Sequence, residues 1–257
     1  PKPATIPELP VDEQNPLRPM SPYGVSKVHG DFMMRNYHHA YGLRTIVSRA
    51  FNHEGAGRGH EFVTSTIVRQ CVSLKFGETD RIVIGNVNVF RDWSHVEDIV
   101  DGYILLSEKG RPGEVYVQGS MRMNSVLTYI LLTLEHLGYG IKEVSTLNGN
   151  RRLKDPIESK SEVFFDTRFE MTNIDKLLFS GELEYRMEDK GLRITTTQGV
   201  IAVDFDPGRF RHPDVPILMS DTRKIQSFGF KTRKSLRDIV RDQANYYLNP
   251  ENRKAVH

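Results

Sequence analysis

The sequence contains one cysteine, Cys71, and one tryptophan among 257 residues. A single cysteine excludes an intramolecular disulfide framework and a cysteine-based zinc site, and it is typical of a reducing compartment. No apolar run approaches the ~20 residues of a membrane-spanning helix, and no charged-then-apolar leader opens the chain. We therefore expect a cytoplasmic protein that contacts no membrane. We also expect no bound metal, because the histidines lack partners at ligand spacing.

A strong excess of one charge is also absent. Lys and Arg number 35 and Asp and Glu number 33, so the formal net charge is +2. The basic residues are scattered along the chain, which argues against nucleic-acid binding and allows a small anionic substrate. The apolar fraction of 38% is ordinary for a soluble globular protein with a real core.

Helical and strand patterns alternate along the first 140 residues. A helix is predicted from Pro22 to Gly42, with Ser21 as its N-cap, followed by a short buried strand in "LRTIVSRAF" and the polar loop "NHEGAGRGHE". Further helices are predicted at about 61–76, 95–108 and 124–138, and strands in "RIVIG", "VFRDW" and "EVYVQG". This alternation indicates an α/β fold.

The pattern changes between about 147 and 200, where the sequence is charged and weakly periodic. Hairpin-like strands are predicted around Asp189 to Gly191. We interpret the stretch as an insertion or as part of a substrate-side lobe. Beyond it, Ser220 or Asp221 is expected to cap a short helix, and Ser235 the last helix.

Two polar residues open the first helix. Tyr23 and Lys27, in "SPYGVSK", are four residues apart and therefore share one helix face. An ammonium close to a phenol would stabilise the phenolate, as acid/base catalysis requires. The same spacing is common on ordinary surface helices, so the spacing alone leaves both interpretations open.

Four motifs, in order, resemble the extended short-chain dehydrogenase/reductases, and within them the GDP-mannose 4,6-dehydratase family. They are "SPYGVSK", "FNHEGAGRG" with "FVT", "RDWSH" and "FRHPDVP". The resemblance spans nearly the whole chain except about 147–200. It implies that Tyr23 and Lys27 are catalytic and also contact the cofactor, which would be NADP, or alternatively NAD.

The resemblance also implies the remaining site residues. Taken singly, a loop asparagine, a loop histidine or an arginine is more often a turn or surface residue. The family positions assign them as follows: His53 and Arg58 to the cofactor, Asn52 to the sugar nucleotide, Arg91 and Arg211 to its diphosphate, and Asp214 to its ribose. Thr66 stands where the family has a lysine and Gly57 where it has an arginine, which leaves the base open.

With the alternation of helices and strands, the resemblance implies the C-terminal part of a Rossmann-type parallel sheet plus a smaller mixed α/β substrate-binding lobe. The N-terminal dinucleotide-binding half would be absent from the chain. Residues 1–140 would form the Rossmann part, interleaved with lobe segments. Residues 141–257 would form mainly the lobe, with an insertion at about 147–200.

The resemblance implies a lyase that converts a sugar nucleotide, GDP-mannose, to its 4-keto-6-deoxy form by internal hydride transfer. Without its dinucleotide-binding half the chain would be inactive. Three alternatives remain: an NAD(P)-dependent epimerase, a 4-keto-6-deoxy sugar reductase, and a non-catalytic sugar-nucleotide-binding subunit. The resemblance also implies a homodimer or homotetramer, in which the helices at about 22–42 and 95–108 form a four-helix contact.

Overall fold

The computed structural model describes residues 8–210 and 215–254. The helices are α1 (Pro22–Tyr41), α2 (Val63–Lys75), α3 (Val96–Lys109), α4 (Val126–His136), α5 (Asn173–Ser180), α6 (Arg223–Gln226), α7 (Leu236–Leu248) and α8 (Pro250–Lys254). The strands are β1 (Val47–Ala50), β2 (Asn52–Glu54), β3 (Arg81–Ile84), β4 (Phe90–Arg91), β5 (Trp93–His95), β6 (Val115–Gln118), β7 (Asn124–Ser125), β8 (Ile141–Thr146), β9 (Arg152–Lys154), β10 (Ser159–Phe164), β11 (Thr167–Thr172), β12 (Gly191–Thr196) and β13 (Gly199–Phe205).

The four helices predicted in the first 140 residues are all present. The hydroxyl of Ser21 accepts a hydrogen bond from the Gly24 amide and caps α1, as predicted. Gly42 ends α1 with a φ of 71°, a left-handed conformation that glycine adopts without a steric penalty. No described helix has the length and apolar character needed to cross a membrane.

Parallel strand pairs confirm the predicted α/β fold. β1 pairs with β6 and β2 pairs with β5, both in parallel. Two details of the prediction were wrong. β2 forms inside the expected loop, because its backbone finds a partner in β5. β1 is only half-buried, because within the described residues it pairs with β6 alone.

The stretch from 147 to 200 is folded onto the rest of the molecule. Its strands β9 and β12 belong to a five-stranded sheet of order β3-β13-β12-β8-β9, and β10 and β11 form a separate hairpin. The predicted hairpin exists as β12 and β13, but its turn lies at Thr197 and Gln198. Asp189 instead ends a 3₁₀ turn that leads into β12.

One main hydrophobic core joins α2, α4 and α7 to the five-stranded sheet. Every residue of α4 from Val126 to Leu134 is buried, which fits a helix that is apolar on all sides. Residues of the 147–200 stretch enter the same core, among them Phe169, Met171, Ile174 and Phe179. Residues on both sides of position 140 therefore share one core. The division of the chain into a Rossmann part and a substrate-binding lobe at this position stays a prediction.

The C-terminal helices show one predicted cap and one correction. Ser235 caps α7 through a capping box with Asp238. The N-cap of α6 is Thr222 rather than Ser220 or Asp221. The Asp221 carboxylate nevertheless accepts a hydrogen bond from the Arg223 amide, so it satisfies one N-terminal donor of this helix.

Candidate active site

Tyr23 and Lys27 lie together on the exposed face of α1. The Lys27 ammonium is 5.3 Å from the centre of the Tyr23 ring, and Tyr23 is 71% exposed. The predicted proximity on one helix face is therefore present. Within the described residues neither the Tyr23 hydroxyl nor the Lys27 ammonium has a hydrogen-bond partner, so both groups can contact a ligand.

A buried carboxylate attaches this helix to the sheet. Asp31 is 8% exposed and accepts hydrogen bonds from Arg35 and Arg49, at 2.8 and 2.7 Å. Arg49 lies on β1, so the pair holds α1 against the strand that leads to Asn52. Charge-assisted bonds of this kind are shorter and stronger than neutral ones. The arrangement fixes Tyr23 and Lys27 relative to β2, which follows β1.

A cavity of about 770 Å³ lies where several connections between sheet and helices meet. We call it the Arg91 cavity. Its walls come from β2, the start of α2, the loop after β3, β4 and the 3₁₀ turn Pro207–Arg209. Asn52 and Arg91, predicted from separate motifs, both line it. Ligand sites in α/β proteins occur at such strand ends.

Arg91 is anchored within the cavity wall. Its guanidinium donates to the carbonyl oxygens of Phe90 and Val215, at 2.9 and 2.6 Å. These bonds limit its rotation, and the planar guanidinium has a geometry suited to paired hydrogen bonds with an oxyanion. The contact with Val215 places the end of the "FRHPDVP" motif against the cavity.

Arg211 and Asp214 lie outside the described residues. The residues that flank them do border the site, because Phe210 lines the cavity and the Val215 carbonyl accepts from Arg91. Their assignment to the diphosphate and the ribose stays a prediction.

Two further arginines line the cavity and were not anticipated. Arg69 lies on α2, and within the described residues its side chain has no hydrogen-bond or ion-pair partner. Arg209 donates to the Val83 carbonyl at 2.7 Å and faces Asp206 at 3.3 Å. Two features of the sequence could have pointed to these arginines. Arg69 follows Val63 of "FVT" by six residues, and Arg209 precedes Arg211 by two.

The residues predicted to bind the cofactor are placed differently. Neither His53 nor Arg58 lines the Arg91 cavity. The His53 ring nitrogen Nδ1 contacts the Phe51 carbonyl at 2.9 Å. The Arg58 guanidinium lies 3.5 Å from the centre of the Phe62 ring and 3.3 Å from the Glu54 carboxylate. Their role toward a cofactor stays a prediction.

Glu54 is the buried acid of this region. It is 2% exposed, and the Thr64 hydroxyl donates to it at 2.6 Å. Burial raises the pKa of the Glu54 carboxyl, and the contacts with Thr64 and Arg58 oppose that rise only in part. Glu54 therefore ties the end of β2 to the start of α2, where both border the cavity.

Arg91 and Trp93 of the "RDWSH" motif line the cavity, and its Asp92 and His95 have structural contacts. Asp92 is fully buried and accepts hydrogen bonds from the backbone and hydroxyl groups of Ser120 and Ser220. Burial raises the pKa of Asp92, against the lowering effect of these bonds. His95 caps α3 through Nδ1 and contacts the Asp242 carboxylate through Nε2 at 3.0 Å.

Thr66, which stands where the family has a lysine, and its neighbour Ser65 lie in or near the Arg91 cavity. Thr66 lines it, so the family lysine is replaced by a neutral side chain at a position that faces the ligand space. Ser65 is fully buried, and its hydroxyl donates to the Arg58 carbonyl at 2.9 Å.

The family model described as GDP-mannose 4,6 dehydratase matches residues 5–188. The chain belongs to this family. The match includes residues 147–188, most of the stretch that the sequence motifs had left outside the resemblance.

Curated members of the family are similar over different lengths. The GDP-mannose 4,6-dehydratase of Sinorhizobium fredii is 29% identical over 244 residues, which cover 93% of this chain and 58% of that protein. The human GDP-mannose 4,6 dehydratase is 32% identical over 133 residues, or 52% of this chain and 36% of that protein. The chain thus spans little more than half the length of the first relative and about a third of the second.

Solved structures show the same fold. RMD from Pseudomonas aeruginosa, solved with NADPH, has a TM-score of 0.65 at 19% identity, over 93% of this chain and 60% of that one. UDP-glucose 4-epimerase from Bifidobacterium longum, solved with NAD+ and UDP, has a TM-score of 0.63 at 18% identity, over 96% of this chain and 60% of that one.

Proposed function

We propose that the chain contributes the sugar-nucleotide site and the tyrosine–lysine pair of a dehydratase that converts GDP-mannose to its 4-keto-6-deoxy form. One observation carries the proposal: Asn52 and Arg91, from two separate family motifs, meet in one cavity of a family member. A cavity of about 770 Å³ is within the size range of ligand sites.

The charges of the Arg91 cavity suit a diphosphate. Arg69, Arg91 and Arg209 line it, and the planar guanidinium forms paired hydrogen bonds to phosphate oxygens. Two carboxylates also line the cavity: Glu54, which is buried and ion-paired with Arg58, and Glu61, which is exposed. Arg69 and Arg209 also supply positive charge in place of the family's lysine and arginine, which are Thr66 and Gly57 in this chain. We propose that Arg211 and Asp214 complete the site.

The face of α1 suits acid/base chemistry beside a nicotinamide dinucleotide, NADP or alternatively NAD. The fit rests on the donor set, because Tyr23 and Lys27 are exposed neighbours without hydrogen-bond partners among the described residues. The dinucleotide, when bound, would supply the hydride acceptor and donor of the reaction. Solved proteins of the same fold hold NADPH or NAD+.

The residues of this chain would then act as follows. Tyr23, as phenolate, takes the proton from the sugar C4 hydroxyl, and the Lys27 ammonium stabilises that phenolate. Asn52 and Arg91 hold the nucleotide so that C4 meets the tyrosine. Loss of water across C5–C6 needs a further acid/base, which the motifs of this chain do not include. We therefore propose that turnover requires a dinucleotide-binding half in addition to this chain.

A thermal-shift comparison of GDP-, UDP-, CDP- and dTDP-sugars tests the substrate. A ligand at a hundred times its dissociation constant stabilises a protein by ~2.7 kcal/mol, so the preferred nucleotide should be evident. We expect GDP-mannose to stabilise most and the effect to fall in Arg91→Ala. Preferential stabilisation by another nucleotide would overturn the GDP assignment and leave a broader sugar-nucleotide site.

The reaction is tested on a protein that includes this chain and a dinucleotide-binding half. NMR of the product should show a 4-keto-6-deoxy sugar. Inversion at C4 without loss of water would indicate an epimerase, and consumption only of an added 4-keto-6-deoxy sugar would indicate a reductase. Tight binding without any turnover would favour a non-catalytic binding subunit.

A further inference from the structure

A second cavity, of about 480 Å³, shares no lining residue with the Arg91 cavity. We call it the Arg168 cavity. Four segments form its walls: the loop Ser120–Arg122, the turn between β10 and β11 from Phe165 to Phe169, the region of α6 with Arg223 and Gln226, and Thr232 in the loop before α7. The hairpin β10–β11 belongs to the stretch that the sequence motifs left without a role.

Two guanidiniums in this cavity are under-satisfied. Arg168 is exposed, and within the described residues its guanidinium has no hydrogen-bond or ion-pair partner. Arg122 is half-buried and makes one hydrogen bond, to the Lys234 carbonyl at 2.7 Å. Because a guanidinium carries five N–H donors, both side chains retain donors for a ligand. Burial lowers the pKa of Arg122, and the nearby carboxylates of Asp92, Asp98 and Asp238 oppose that effect in part.

The other charges in the cavity do not neutralise this pair. Arg223 is held by Asp221, whose carboxylate accepts from its Nε at 2.9 Å. Asp166 adds one carboxylate at the hairpin turn. The two available guanidiniums, Arg122 and Arg168, therefore outnumber the one carboxylate that lacks a hydrogen-bond partner among the described residues.

Apolar side chains form part of the remaining walls, beside the polar residues Ser120, Thr167, Gln226 and Thr232. Phe165, Phe169 and Met121 line the cavity, and Phe169 is 5% exposed. Met121 has a φ of 53°, which is uncommon for a residue with a side chain. Its amide donates to Asp92 at 3.2 Å, and its sulfur accepts from Gln226 at 3.1 Å. The loop is thus ordered by buried contacts before any ligand arrives.

We propose that the Arg168 cavity binds a small organic molecule that carries a phosphate group. Arg122 and Arg168 would hold the phosphate, because two guanidiniums match the charge and geometry of a dianion better than those of a single carboxylate. Phe165 and Met121 would contact the organic part. The site is separate from the sugar-nucleotide site, so the proposal does not depend on the reaction proposed above.

Methyl NMR of the protein labelled at its eight methionines tests the proposal. The Met121 signal is assigned as the one that disappears in Met121→Leu. Titration with phenyl phosphate should shift this signal with saturation, and Arg168→Ala should weaken the binding by roughly tenfold or more. The control Arg193→Ala removes an exposed arginine of β12 that lines neither cavity, and it should leave the affinity unchanged.

Three comparisons decide which chemistry the cavity recognises. Benzoate should bind more weakly than phenyl phosphate, and benzyl alcohol should leave the Met121 signal unshifted. Arg91→Ala should leave the phenyl phosphate titration intact, because Arg91 lines only the other cavity. Absence of a Met121 shift, equal shifts with benzyl alcohol, loss of the shift in Arg91→Ala, or full affinity in Arg168→Ala would each overturn the proposal.

Discussion

The amide of Ser220 donates a hydrogen bond of 3.0 Å to the carboxylate of Asp92, although the two residues are 128 positions apart. The same carboxylate accepts from the Ser120 amide at 2.8 Å. Asp92 directly follows Arg91, so these bonds join the wall of the Arg91 cavity to the loop that forms the Arg168 cavity.

Replacing Asp92 with alanine should therefore destabilise the protein strongly. The change leaves several buried donors without an acceptor, and bonds to a charged group are worth ~1.5–3 kcal/mol each, so we expect a loss of about 3 kcal/mol or more. Urea unfolding measures this change in the free energy of unfolding. The control is Asp101→Ala, which removes an exposed ion pair with Arg233 and should cost less than ~1 kcal/mol. Equal losses would contradict a structural role for Asp92.

The stability of the protein should depend on the protonation of Glu54. Burial raises the pKa of Glu54 above its ordinary value of 4.5, so the folded protein holds this proton more strongly than the unfolded chain. The resulting stabilisation is fully present below pH 4.5 and is lost as the pH rises through the raised value. Wild type should therefore lose stability relative to Glu54→Gln between pH 4.5 and neutrality. Unfolding free energies that differ by a constant over this range would contradict the assignment.

Arg69 should contribute to nucleotide binding, although no motif pointed to it. It lines the Arg91 cavity without a described partner, so its charge is available to a diphosphate. We expect Arg69→Ala and Arg91→Ala each to raise the dissociation constant for GDP by roughly tenfold, measured by calorimetry. The matched control is Arg193→Ala, on an exposed position of β12. Unchanged affinity in Arg69→Ala would make it a surface arginine.

Tyr23→Phe should remove turnover and leave nucleotide binding intact. Only the transferable proton is lost, and Tyr23 does not line the Arg91 cavity. We expect kcat to fall by ~10²-fold or more in a protein that includes the dinucleotide-binding half, with the GDP dissociation constant unchanged. Tyr41→Phe is the control, because Tyr41 is an equally exposed tyrosine, at 73%, on the same helix. Substantial turnover in Tyr23→Phe would exclude it as the acid/base.

The exposed apolar residues of α1 and α3 should form a contact between two copies. Phe32 on α1 and Val100 and Ile104 on α3 are 55%, 46% and 53% exposed, which favours burial in an interface. Ile104→Asp should shift the mass measured by light scattering toward the monomer. Val200→Asp is the control, because Val200 is 63% exposed on β13. A wild-type monomer at micromolar concentration would contradict the predicted dimer.

Local signals predicted the elements that depend on local interactions. Ser21, Pro22 and Gly42 mark both ends of α1 because capping and left-handed conformations involve only neighbouring residues. Ser235 marks the start of α7 for the same reason. The helix spacing of Tyr23 and Lys27 likewise follows from the period of an α-helix. These features could be predicted from sequence, because the interactions that form them join residues within about two turns of one helix.

Features that depend on distant partners were missed or misplaced. β2 forms within an expected loop because it pairs with β5, about forty residues later in the chain. Asp92 was grouped with a ligand-binding motif, yet its partners are Ser120 and Ser220. Pattern reasoning cannot place such partners, because the hydrogen bonds join residues whose proximity exists only after folding.

The sequence by itself determined the four helices of the first 140 residues, the caps at Ser21 and Ser235, and the motifs that resemble the family. Tertiary structure alone decided which of the motif residues face a cavity. Arg91 reaches the ligand space while Asp92, one residue later, turns into the core, because successive residues of an extended chain point to opposite sides. Arg69 and Arg209 come from distant segments, and only the packing of α2 against the strands brings their charges to one site.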